Sequence, residues 1–165
     1  MTGIILQGSS RSDGDTAAVV KQLAQLLDYE IIDLRLLNFS DYDYLAENSH
    51  DEFLPTVRHI VAHYDHIVWA TPVYWYSMSA LMKRFLDRIS DCLRIEKETG
   101  RQFRGMSMSL ISVSNDERNE AFETPFILTA DYLGMSYLGD QHVIVGNDHD
   151  IKSQLTAIVR KLKSC

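Results

Sequence analysis

The sequence predicts an α/β protein whose open parallel sheet is covered by helices on both faces. Three observations carry this prediction. Short apolar runs alternate along the chain with longer segments of helical period, the pattern of a βαβ series. The length of 165 residues suits one unit spanning residues 1–165, with a core that needs neither disulfide nor structural metal. Hydrophobic residues make up 45% and charged residues 24%, which excludes the disordered and fibrous classes.

Each element has its own signal. Gly3 to Leu6 is a short apolar run ending at Gln7-Gly8 and reads as a buried strand. Val19, Val20, Leu23, Leu26 and Leu27 then recur at helical spacing from Thr16 onward. Tyr29 to Leu34 is the second strand, and residues 38–52 read as a polar, acidic loop. Phe53, Val57, Ile60 and Val61 share one face of a helix over Glu52 to His63. His66 to Thr71 is the third strand, stopped by Pro72. Ser77 reads as the N-cap of an amphipathic helix carrying Met78, Leu81, Met82, Phe85, Leu86 and Ile89, with Lys83, Arg84, Asp87 and Arg88 on its outer side. Met106 to Val113 is the fourth strand, followed by a polar exit loop, Ser114 to Asn119. A helix over Ala121 to Leu133 ends at Gly134 as a left-handed cap. Tyr137 to Val145 is the fifth strand, and Ile151 to Leu162 a closing helix with a basic end. Five strands with five helices leave no length for a second domain.

Charge and cysteine usage narrow the function classes. Lys plus Arg total 16 against 23 for Asp plus Glu, a net charge of −7. That balance argues against a broad nucleic-acid binder, which needs clustered cations, but leaves room for one local phosphate. Cys92 and Cys165 are far apart and form no CxxC or Cys/His array, so zinc and iron–sulfur sites lack a ligand set. His50, His59, His63 and His66 cluster in sequence, and His59/His63 have metal-ligand spacing. With no HExxH glutamate or third ligand they read as surface histidines. His142 and His149 have no assigned role. The chain lacks a signal-peptide pattern and an apolar run long enough to span a bilayer, so a soluble cytoplasmic protein is expected.

In open parallel sheets ligands bind beyond the carboxyl ends of the strands, where strand order reverses. Three loops therefore matter. The first, Gly8-Ser9-Ser10-Arg11-Ser12-Asp13-Gly14-Asp15-Thr16, offers small residues, hydroxyls and one arginine at a helix start. Helix N–H groups and hydroxyls cradle a terminal phosphate, and Arg11 adds a charge-assisted bond. It matches neither GxGxxG nor GxxxxGK[ST], and taken alone it reads equally as an ordinary capped turn. The second, Thr71-Pro72-Val73-Tyr74-Trp75-Tyr76-Ser77-Met78-Ser79, holds three consecutive aromatics that cannot all enter one core. Beside a phosphate-type loop they point to a flat ligand, and otherwise to a contact between chains. The third, Ser112-Val113-Ser114-Asn115-Asp116-Glu117, supplies hydroxyl and amide groups for a ring edge, and by itself is an ordinary polar turn.

Gly8-Ser9-Ser10-Arg11 with Asp15-Thr16, the Thr71 to Ser79 stretch followed by Lys83-Arg84-Phe85-Leu86-Asp87-Arg88, and Leu133-Gly134-Met135-Ser136-Tyr137-Leu138-Gly139 together resemble the flavodoxin-like NAD(P)H-dependent FMN reductase family. The resemblance spans most of the chain, in the family's order and spacing. It implies a flavodoxin-like three-layer doubly wound fold with a five-stranded sheet of order 2-1-3-4-5, an order for which flavodoxin and its FMN site are the general example. It places Ser9, Arg11, Asp15 and Thr16 around the FMN phosphate. Pro72, Val73, Tyr74, Trp75, Tyr76 and Ser77 then line the isoalloxazine, and Ser114 and Asn115 close the third side. Asp15 stands where relatives often have asparagine, so its N–H rather than its carboxylate is expected to help. Tyr76 replaces a frequent glycine. Residues 38–52 lack the clustered cysteines of iron–sulfur relatives.

The activity so implied is hydride transfer from NADPH or NADH through bound FMN to a small acceptor such as a quinone or a flavin, with no catalytic side chain and no metal. The resemblance further implies a homodimer or homotetramer, with Trp75 or Tyr76 contributing to the interface, while the charge balance and the lack of a long apolar run lead to the expectation of no nucleic-acid or membrane partner. A flavodoxin-type electron carrier, reduced by a partner protein through its acidic surface, is the alternative; a flavin-free interaction protein is a third reading.

Overall fold

Six helices and five strands alternate along the chain in a computed structural model that describes residues 1–146 and 150–165. The strands are β1 (Gly3–Gln7), β2 (Glu30–Asp33), β3 (His66–Pro72), β4 (Ser107–Ser114) and β5 (Ser136–Ile144). The helices are α1 (Asp15–Leu27), α2 (Phe53–His63), α3 (Ala80–Arg94), α4 (Lys97–Arg101), α5 (Thr124–Leu133) and α6 (Ile151–Lys163). All strand pairs are parallel, in the order β2-β1-β3-β4-β5. Strand order therefore reverses between β1 and β3, and the expected topology is the observed one.

The central strands are rich in apolar residues because both faces are covered. β1 and β3 are buried at every residue. On one face Ile4, Leu6, Ile67, Trp69, Met108 and Leu110 pack under α2, α3 and α5, through Phe53, Val57, Met82, Phe85, Phe126 and Ala130. On the other, Ile5, Val68, Ala70, Ile111 and Val143 meet Val19, Val20 and Leu23 of α1 and Leu155, Ile158 and Leu162 of α6. The period of two along each strand sends alternate residues to these two cores.

Several local expectations are corrected. Helix α3 starts two residues later than expected: its N-cap is Ser79, whose hydroxyl accepts from Met82 N at 3.0 Å. The same hydroxyl donates to Gly8 O at 2.5 Å, and Ser79 N donates to Thr71 Oγ1 at 3.0 Å. One serine thus joins the ends of β1 and β3 to the start of α3, which Ser77 is too early to do. Gly8 permits this approach, since a Cβ there would lie 2.9 Å from Met82 Cβ. The short helix α4 and a 3-10 turn at Leu34–Leu36 carry no strong sequence signal.

Arg88 is not on the outer face. It is fully buried and bonds Asp51 with both Nη atoms, at 2.5 and 3.1 Å, and Asp91 through Nε at 2.7 Å. Its guanidinium stacks 4.8 Å over the Phe53 ring, and Nη1 also donates to Ser40 O at 3.0 Å. The acidic 38–52 segment is thereby fastened along α3. Asp87 pairs instead with Lys83 on the surface. His66, expected at the surface, is fully buried, while His50, His59 and His63 are exposed. His149 lies outside the described residues. Among the described residues, no helix is long and apolar enough to cross a membrane.

Candidate functional site

The β1/β3 switch point opens into a cleft of about 240 Å3 lined by Ser9, Arg11, Gly14, Asp15, Thr16, Pro72, Val73, Tyr74, Val113, Ser114, Asn115 and Val145. Three strand ends meet here, and all three loops singled out from the sequence contribute. Gly14, Val113 and Val145 were not expected. The two valines are strand-end residues whose apolar character carries no functional signal.

The floor is the start of α1. Gly14 is its N-cap and provides no side-chain cap, and the first backbone bond of the helix runs from Ala18 N to Gly14 O at 3.0 Å. The preceding N–H groups have no partner within the helix and face the loop. Gly14 is also where the Arg11 side chain folds across the loop, since a Cβ there would sit 3.0 Å from Nη2 and 3.1 Å from Nε. Ser9 and Thr16 are buried. The Ser12 hydroxyl of the same loop is buried without a partner, but Ser12 does not line the cleft. Open amides, hydroxyls and one guanidinium form a donor set that fits a phosphate monoester. Asp15 lies exposed on the rim.

The second wall is Pro72, Val73 and Tyr74. Val73 N donates to Val113 O at 2.9 Å, which continues the sheet pairing into the loop. The Tyr74 hydroxyl lies 2.7 Å from Ser10 Oγ and so ties this wall to the first loop. Beyond it the chain reverses in two residues: Tyr74 N bonds Ser77 O at 2.9 Å and Ser77 N bonds Tyr74 O at 3.1 Å. Trp75 and Tyr76 occupy the tip at φ 49° and 65°, a left-handed pair that glycine and asparagine adopt far more readily. Their side chains are 92% and 73% exposed. Trp75, Tyr76 and Ser77 therefore stand beside the cleft rather than in its lining, contrary to their expected place along it.

Ser114 and Asn115 form the third wall, held from β5 by His142. Ser112 Oγ lies 2.9 Å from His142 Nδ1, and His142 Nε2 lies 2.9 Å from Asp116 O and 3.2 Å from Ser114 Oγ. Arg118 Nη1 donates to Ser112 Oγ at 3.2 Å and is itself paired with Asp140 and Glu123. No sequence pattern links these residues, because they meet only when β4 and β5 pair.

A second hollow of about 230 Å3 lies among α3, α4 and α5, lined by Cys92, Leu93, Lys97, Arg101, Arg104 and Tyr132. Burial pushes the Cys92 thiol up to about 12, so it is a packing group and not a nucleophile. Nothing there converges on a ligand as the switch-point loops do.

The family model described as NADPH-dependent FMN reductase matches residues 1–150 of the chain. A Bacillus subtilis (strain 168) protein provisionally named as an NAD(P)H-dependent FMN-containing oxidoreductase, YwqN, is 28% identical over 96 residues, covering 54% of this chain and 52% of that protein. The match thus spans about half the length of that curated relative. Among solved structures, the Trp repressor binding protein from Bacillus subtilis superposes with a TM-score of 0.77 at 24% identity, covering 99% of each chain. An FMN-dependent NADH-azoreductase from Bacillus anthracis, solved with FMN, gives a TM-score of 0.68 at 12% identity, covering 99% of this chain and 97% of that one. An NADPH-quinone reductase from P. pentosaceus gives 0.69 at 17% identity, covering 97% and 96%. These structures establish the shared flavodoxin-like architecture.

Proposed function

The chain belongs to the NADPH-dependent FMN reductase family, and from that premise we propose that it holds FMN in the switch-point cleft and acts as an NAD(P)H-dependent oxidoreductase. The observation that carries this reading is the convergence of Ser9, Arg11, Thr16 and the open N-terminus of α1 on one side of a cleft whose other walls are Pro72–Tyr74 and Ser114–Asn115.

In this reading Ser9, Arg11 and Thr16 bind the phosphate, with the backbone N–H of Asp15. Pro72, Val73 and Tyr74 lie against the ring system, and Ser114 and Asn115 address its polar edge. When bound, FMN would supply the two-electron chemistry that links a reduced nicotinamide to a small acceptor such as a quinone or another flavin. The residues of the chain bind, orient and shield; none is required as an acid or base. Trp75 and Tyr76, outside the cleft lining, are placed to meet the nicotinamide or the acceptor at its mouth, or a second chain in a homodimer or homotetramer. Either NADH or NADPH is compatible with the site, and the two free cysteines suit a cytoplasmic setting.

Anaerobic stopped-flow mixing of FMN-loaded protein with NADPH and with NADH tests the reading. Direct bleaching of the flavin absorbance is the expected result. Protein that takes up no FMN overturns it. Bleaching seen only with a partner reductase replaces it with an electron carrier.

A further inference from the structure

Two walls of the cleft depend on one residue outside it. Asp116 O can only accept, so the 2.9 Å contact places a proton on His142 Nε2. The Ser112 hydroxyl lies 2.9 Å from His142 Nδ1 and can donate to it. That hydroxyl oxygen is free to receive Arg118 Nη1 at 3.2 Å. Arg118 in turn is fixed by Asp140 and Glu123 and lies 5.4 Å over the Phe122 ring. The chain of donors runs one way, from Arg118 through Ser112 and His142 to the carbonyl of Asp116. It ends on the loop that carries Ser114 and Asn115. Ser114 Oγ donates to the same carbonyl at 2.6 Å, so Asp116 O is the point at which the loop is gathered.

The loop passes this restraint on. Asn119 Nδ2 donates to Tyr76 O at 3.0 Å, and its Oδ1 accepts from Ala121 N at 3.0 Å. Tyr76 is half of the left-handed pair at the aromatic turn, a conformation that persists only where neighbours over-determine it. The β4 loop is therefore both the third wall of the cleft and a clamp on the turn beside the second. Fixed geometry in a binding site needs such support behind the contacting groups.

We propose that His142 is a positioning residue: its Nε2–H bond to the Asp116 carbonyl sets the β4 loop for FMN binding and, through Asn119, holds the Trp75–Tyr76 turn. This rests on the FMN reading of the same cleft.

Two substitutions separate the two ring nitrogens. His142→Gln keeps a donor near the Nε2 position, whereas His142→Asn keeps an acceptor near Nδ1 and loses the reach to Asp116. FMN affinity, read by quenching of flavin fluorescence, is expected to fall about tenfold in His142→Asn, the scale of one lost hydrogen bond. In His142→Gln it stays within about threefold of wild type on the same scale. Amide hydrogen exchange of residues 115–119, measured without FMN, is expected to quicken in the Asn variant alone, while β1 and β3 stay protected. Equal behaviour of the two variants, or wild-type exchange in both, overturns the proposal. Wild-type protein that binds no FMN overturns the cofactor reading instead, and the exchange data then judge the brace on their own.

Discussion

Arg11 is the sole cation lining the cleft among the described residues, so in the proposed FMN reading the charge facing the phosphate comes from one side chain. Arg11→Ala is expected to weaken FMN binding by about tenfold to a hundredfold, the range of a lost charge-assisted hydrogen bond. Riboflavin, which lacks the phosphate, should bind both proteins alike, and parallel fluorescence titrations compare the two ligands. The aromatic turn tests a different quantity. Trp75 holds a left-handed backbone that costs a bulky residue about 1 kcal/mol or more, and its ring is almost wholly exposed. Trp75→Gly should therefore raise the thermal midpoint while lowering turnover, if the indole meets the nicotinamide or acceptor. Arg11 was legible because an arginine among hydroxyls at a helix start is a local pattern. The left-handed pair was not, because neither Trp nor Tyr advertises that conformation.

At the scale of elements, the 38–52 segment depends on a single helix residue. Burial alone would raise the Asp51 pKa, but the Arg88 guanidinium and the N–H groups of Phe53 and Ser40 outweigh it and hold the carboxyl below its usual range. Asp51 thus adds stability that is present above its unfolded value, near pH 3.9, and is lost as pH falls through the lower folded one. Arg88→Met leaves Asp51 and Asp91 without their partner and should cost about 3–5 kcal/mol. Limited proteolysis is expected to cut within residues 38–52 in this variant and not in wild type. The strands were readable because a parallel sheet covered on both faces demands continuous apolar runs. Arg88 was misread because helical period alone cannot announce a carboxylate 37 residues away in sequence. The Ser79 cap was missed for the same reason: the choice between Ser77 and Ser79 is made by Gly8 O, just past the end of β1 and 71 residues away in sequence.

For the molecule as a whole, acid sensitivity should centre on His66. Burial brings its pKa down to about 4, with Ser107 Oγ at 2.7 Å as the partner of Nδ1 and Nε2 without one. The unfolded imidazole titrates near 6.5, so the unfolded chain takes up a proton first as pH drops. Stability is then complete above about pH 6.5 and drains away towards about pH 4, by on the order of 3 kcal/mol at most. His66→Leu should flatten the urea-unfolding midpoint across that window, and Ser107 keeps Asp65 O as a partner at 3.3 Å.

The order β2-β1-β3-β4-β5 also governs when the cleft comes into being. Its lining runs from Ser9 to Val145, so a chain emerging from the ribosome has displayed the phosphate loop long before the third wall has been translated. The β1 end cannot even be seated until Ser79 has arrived to bond Gly8 O. A nascent chain can offer a ligand only fragments of its site.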